Sequence, residues 1–208
     1  MMKTETKLHW ILFLALVAAS AGSVALLAAR VTLTGRITYA FLVWNLILAW
    51  APLLFAWLAS AVWEKRPYAL AFLFFWLLFF PNAPYIVTDF IHLRWSYGVP
   101  RWFDVALIGS FAATGMALGV FSLRLLQNRI AASYGRAAGR WFVLTAVGLS
   151  SYGIYLGRFL RWNSWDLFAN PLALLQDVAH SLTMPFTFYV SLSLTAVTLA
   201  AYVMFTWV

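Results

Sequence analysis

Residues 79–95, FFPNAPYIVTDFIHLRW, close a long apolar run with two prolines around an asparagine, then set Asp89 and His92 one helical turn apart. Such an ending is either a loop leaving the membrane or a broken helix that carries ionisable groups. Length separates the two. From Tyr68 to Phe80 the uninterrupted run would span roughly 20 Å at about 1.5 Å per residue, short of the roughly 30 Å hydrocarbon core. Pro81 and Pro84 each lack a backbone donor and disfavour helix in the preceding residue. Asn82 is suited to cap a new helix beginning at Ala83-Pro84. The stretch therefore predicts a third span broken at Pro81–Pro84. Its second half would run from Pro84 to about Leu93, with Tyr85, Asp89 and His92 on one face. Irregular backbone at membrane depth is tolerated where protein or a watery cavity covers it, and broken helices at that depth mark binding sites.

Composition supports the membrane setting. Of 208 residues 64% are hydrophobic and 10% charged, whereas soluble domains are about a quarter charged. The 12 Trp suit the aromatic belts of bilayer proteins. The net charge of +8 comes from basic residues scattered among apolar runs, which excludes a nucleic-acid surface and makes the lipid bilayer the expected partner. The chain holds no Cys, so disulfides, thiolate metal ligands and Cys nucleophiles are excluded.

Six runs are long enough to cross: about 8–29, 38–63, 68–93, 103–126, 141–160 and 184–208. The expected fold is all-α, one helical membrane domain over residues 1–208 with about six spans plus short interfacial helices. The first run outlasts a signal-peptide core and is expected to be an uncleaved anchor. With a cytoplasmic N-terminus, Lys3, Lys7, Lys65, Arg66, Arg124, Arg129, Arg136 and Arg140 lie inside, and Arg30, Arg36, Arg94, Arg101, Arg158 and Arg161 outside. Glu5 and Glu64 are then cytoplasmic. Asp89, Asp104, Asp166, Asp177, His92 and His180 gather at the opposite face. Gly115/Gly119 and Gly153/Gly157 form GxxxG pairs in spans four and five, expected to bring those two helices into contact.

Chemistry is expected at that outer face. Asp177 and His180 repeat the Asp-x-x-His spacing on a helix with Asn170 and Pro171 at its start. Asp89, His92, Asp177 and His180 are the candidate acid/base groups, each Asp orienting its His. A weaker alternative gathers Asp89, His92, Asp104, Asp177 and His180 as metal ligands, by analogy with two-metal helical bundles. Arg158 and Arg161 suit an anion because the guanidinium is a planar, bidentate fork; snorkelling to headgroups is the plainer reading. Asn82, Tyr85, Asn163, Asp166 and Asn45 complete the expected substrate-binding set. The cofactor is left unknown by these residues. GxSxG, HExxH and P-loop patterns are absent from the sequence, which leaves nucleophilic-serine, zincin and NTPase chemistry without support.

PNAPYIVTDFIHL, Asn45 with the Ala49-Trp50-Ala51-Pro52 stretch, and GRFLRWNSWD together resemble a bacterial family of multi-pass membrane proteins, the domain of unknown function numbered 1361. The resemblance runs from span two to span six. It implies a bacterial integral membrane protein of about this size and carries over no activity, substrate or site residue; the bacterial inner membrane is the expected location. Three functions follow from the residues: binding or processing of an anionic or lipid-linked substrate, transport through the broken third span, or structural assembly with the polar cluster as internal glue. The first predicts a concave outer pocket, the second a polar path past Asn45, and the third a closed cluster with every charge paired.

Overall fold

The computed structural model describes residues 2–93 and 98–207. Arg94 and the side chains of Lys3, Glu5 and Lys7, assigned above to membrane faces, lie outside the described residues. All described elements are helices: α1 (Met2–Thr34), α2 (Phe41–Ala61), α3 (Arg66–Phe79), α4 (Asn82–Tyr85), a 3₁₀ stretch (Ile86–His92), α5 (Arg101–Tyr134), α6 (Arg136–Phe159), α7 (Asp166–Ala169), α8 (Pro171–Ser181) and α9 (Pro185–Trp207).

Among the described residues, five helical segments are long and apolar enough to cross a membrane: Trp10–Thr34, Phe41–Ala61, Arg66–His92, Arg101–Tyr134 and Pro185–Phe205. Six were expected. The missing one is α6, which has the length, but Arg136, Arg140, Arg158, Ser150, Ser151, Tyr152 and Tyr155 dilute its hydropathy. Outward surfaces are apolar: Ile11, Leu14, Ile47, Leu70 and Leu192 are all exposed. So many exposed large apolar side chains suit lipid rather than water.

The long helix α5 is the hub, burying Leu107, Ile108, Phe111, Leu118, Leu123 and Leu126. It packs against α1, α2, α6 and the third run. Gly135, at φ +90, turns the chain from α5 into α6 in a single residue, a conformation that favours glycine. Cross-links define two ends. Trp63 donates to Ser133 and Arg66 to Tyr134 at one; at the other, Arg30 meets Asp104, Tyr39 meets the His92 carbonyl, and Tyr155 meets Phe186.

The third run does not open into a loop. Phe80 and Pro81 keep right-handed helical angles (φ −55, ψ −36 and φ −56, ψ −30), so the ladder tightens rather than parts. The expected Asn82 cap is absent. Its Nδ2 turns back to the Phe79 carbonyl (2.9 Å) and to Ser164 Oγ (3.3 Å), while Ser164 Oγ donates to the Leu78 carbonyl (3.0 Å). The reason is local. Prolines withdraw donors from the preceding turn, and with the Ala83 N–H bonded to Phe80 O (3.3 Å) the Phe79 carbonyl needs another partner. Polar side chains supply the donors.

The GxxxG pairs also serve the third run. α5 and α6 do pack together, but a Cβ on Gly115 would lie 2.7 Å from the Ala83 carbonyl, and one on Gly153 would lie 2.8 Å from the Pro81 ring. Gly119 faces Ala83 and Gly157 faces Tyr85. Residues 81–86 are thus clasped from two sides by backbones that have no side chain in the way.

Candidate functional site

Tightening to a 3₁₀ helix gives a period of three, which stacks Asp89 over His92 beside the Tyr85 and Thr88 column. Into this surface comes Arg158, from the last turn of α6. Its Nη2 pairs with Asp89 Oδ1, its Nε donates to Thr88 Oγ1 (2.8 Å), and its Nη1 lies 3.0 Å from His92 Nε2. The guanidinium also sits 4.2 Å above the centre of the Tyr85 ring. A guanidinium has only donors, so Nε2 of His92 accepts and the ring proton sits on Nδ1. Asp89 is 1% exposed, and its other oxygen accepts Asn45 Nδ2 (2.7 Å). Phe41 packs on the His92 ring at 5.1 Å.

Asp89 does not orient His92, as the spacing had suggested. Arg158 stands between them and serves both. Nor do the two arginines form one anion site. Arg161 ends α6 in the left-handed region (φ 63) and is exposed, with the Trp162 N–H reaching back to Leu156 O (3.1 Å) across the turn. The helical spacing that put Arg158 and Arg161 on one face fails because the helix stops between them.

The residues of the metal alternative are held apart by separate donors. Asp104 is buried against Arg30 (Oδ1 to Nε 2.6 Å), beneath a Tyr39 ring 4.5 Å from that guanidinium. Asp177 accepts Trp162 Nε1 (2.8 Å), and His180 is exposed on α8. Among the described residues no three of His, Asp or Glu converge to hold a metal. Asn170 does begin α8 with Pro171 behind it, although its side chain makes no cap bond.

Beside the Arg158 cluster lies a cavity of about 210 Å³. Asn45, Asn82, Tyr85 and Asn163 line it, all four from the expected binding set, together with Ser164 and the indoles of Trp44, Trp162 and Trp165. Asp166 sits behind, accepting the Asn163 N–H (2.7 Å) and Nδ2 (3.2 Å) on one oxygen. The Tyr85 ring divides the cavity from Arg158, and Leu174 of α8 forms part of the roof. Thr88, Ser164 and the three Trp were not legible as site residues: Trp in such a chain reads as interface belt, and a lone Ser or Thr carries no spacing signal.

Lining this cavity are amides, a phenol, indoles, a hydroxyl and aliphatic groups, and none of the lining side chains is ionised at neutral pH. The arrangement can grip a polar group and exclude water. No lining group is a strong general base, and the Ser164 hydroxyl is engaged on a backbone carbonyl. No curated protein and no solved structure matches the chain. One family does, over residues 44–201, a stretch running from the cavity rim on α2 to the last turns of α9. The chain belongs to the family described as "Protein of unknown function (DUF1361)".

Proposed function

We propose that this is a bacterial inner-membrane protein that binds the polar head of an amphiphilic, lipid-linked substrate in the Asn45–Asn82–Tyr85 cavity at its outer face. In this reading α6 also crosses, as the fifth of six spans, the N-terminus is cytoplasmic, and α7 and α8 lie in the outer interface. The exposed Leu172 and Leu175 of α8 and Phe168 of α7 support that placement, since apolar side chains on a short helix seat it at the headgroup boundary.

The observation that carries the proposal is one cavity shared by residues from α2, α4 and the segment after α6, with its walls held by the Arg158–Asp89–Asn45 chain. Binding is favoured over catalysis because Asp89, His92, Asp177 and His180 are all absent from the cavity lining. Transport has less support. The core cluster of Ala56, Trp76, Phe80, Leu123, Leu126 and Val147 packs the bundle with apolar side chains, which offers a transported polar group no partner. A purely structural role leaves the cavity without a purpose.

Leu174→Trp tests the proposal, because it fills the cavity from α8 without touching the ion pair. Native mass spectrometry of the purified protein should show a co-purifying lipid that Leu174→Trp loses while its melting temperature stays within a few degrees of the parent. A lipid retained equally by both proteins would overturn the reading.

A further inference from the structure

We infer that the group the cavity takes is an uncharged, polyhydroxylated ring, a single sugar on a lipid. This rests on the proposed binding role and names its substrate class. The argument starts from amide orientation. Asn45 Nδ2 faces the Asp89 carboxylate, Asn82 Nδ2 the Phe79 carbonyl, and Asn163 Nδ2 the Asp166 carboxylate. Each partner can only accept, so none of the three amides can be flipped. Each has its carbonyl oxygen left to meet a ligand. Three amide acceptors favour a ligand that brings donors, while the Tyr85 hydroxyl and the Trp44 and Trp165 indole N–H groups can meet its acceptors.

Two kinds of donor qualify, hydroxyls and ammonium groups. An ammonium would be desolvated with no carboxylate in the lining to pair it. Hydroxyls carry no such penalty. The indoles of Trp44, Trp162 and Trp165 complete the match, because the C–H face of a pyranose packs on flat aromatic rings while its rim hydroxyls reach amides. About 210 Å³ is less than the roughly 300–1,000 Å³ of drug-sized pockets, so one ring fits and a disaccharide does not. Trp44 and Trp165 are 55% and 43% exposed, which puts the mouth on the outer surface of the bundle, within reach of a lipid head.

The test uses the full chain in phosphatidylcholine nanodiscs, read by native mass spectrometry. The probes are monogalactosyl diacylglycerol, diacylglycerol, phosphatidylglycerol, phosphatidylethanolamine and soluble methyl glucoside. The glycosyl lipid should bind about tenfold tighter than diacylglycerol or either phospholipid, the increment expected of a few added hydrogen bonds. Trp165→Ala, at a residue that bonds only through its carbonyl, should reduce that preference severalfold; Leu175→Ala, outside the cavity, should not. Competition by methyl glucoside supports the sugar and assigns recognition to the head alone. Phosphatidylglycerol or phosphatidylethanolamine binding as tightly, and lost in Leu174→Trp, overturns the sugar and leaves lipid-head binding standing. If no probe responds to Leu174→Trp, both fall.

Discussion

Two arginine–aspartate pairs, each with a buried carboxylate, lie at the same end of the bundle, and their surroundings differ. Arg30 and Asp104 are 2% and 0% exposed and join α1 to α5 beneath Tyr39. Arg158 and Asp89 join α6 to the 3₁₀ stretch, and the Asp89 carboxylate reaches Asn45, which lines the cavity. Tyr39 lies between the two, over Arg30 on one side and bonded to the His92 carbonyl (3.4 Å) on the other. Burial and charge alone therefore do not mark a functional pair. What marks it is whether its remaining hydrogen bonds end on a cavity wall or in the core.

The largest effects test that distinction. Removing one partner of a buried pair leaves an uncompensated charge at roughly 3–5 kcal/mol, so Asp104→Leu and Asp89→Leu should destabilise alike in denaturant titrations in micelles. Paired replacement separates them, because a buried ion pair exchanged for apolar groups is often close to neutral. Arg30→Leu with Asp104→Leu should restore the fold and keep ligand binding within about twofold, since no cavity amide depends on that pair. Asp89→Leu with Arg158→Leu should restore the fold and lose binding by about tenfold or more, because Asn45 loses the acceptor that orients it. If both double variants bind alike, the two pairs do not differ in role.

Glycines sharpen the comparison at the next level down. The Pro81 ring lies where a Gly153 side chain would go, at 2.8 Å, while nothing lies within 4 Å of a Cβ on Gly148, in the same helix. A proline ring cannot swing aside, so Gly153→Ala should cost roughly 1–3 kcal/mol as overpacking and weaken binding by moving Asn82. Gly148→Ala should stabilise by up to about 1 kcal/mol through helix propensity. Equal melting temperatures for the two variants would mean that the close approach does not hold the third run.

The legibility of this site follows the range of each interaction. Apolar runs are local, so span positions were readable, and Tyr85, Asp89 and His92 sat together because a short helix keeps near neighbours near. Arg30 was not readable as a core residue: its partner lies 74 positions away, and a single Arg near the end of an apolar run looks like an interface charge. The GxxxG pairs were readable as close approaches but not as approaches to residues 81–86, because a small residue records that something fits without recording what. Asn82 stands where a cap belongs, directly before a helix, whereas carbonyls lacking their usual donors on the other side draw its amide backwards.

The smallest expected effect concerns Arg161, the arginine that helical periodicity wrongly paired with Arg158. It holds φ 63 at the end of α6, exposed, a conformation that costs an L-residue about 1–2 kcal/mol. Gly removes that strain but gives back part of the gain through greater freedom in the unfolded chain. Arg161→Gly should therefore raise stability by no more than about 1 kcal/mol and leave ligand binding unchanged, since Arg161 neither lines the cavity nor touches Asp89. A loss of binding on Arg161→Gly, with the fold intact, would mean that both arginines act on the ligand. The recognition site would then extend past Tyr85 to the surface, and the charge-free cavity would be only its inner part.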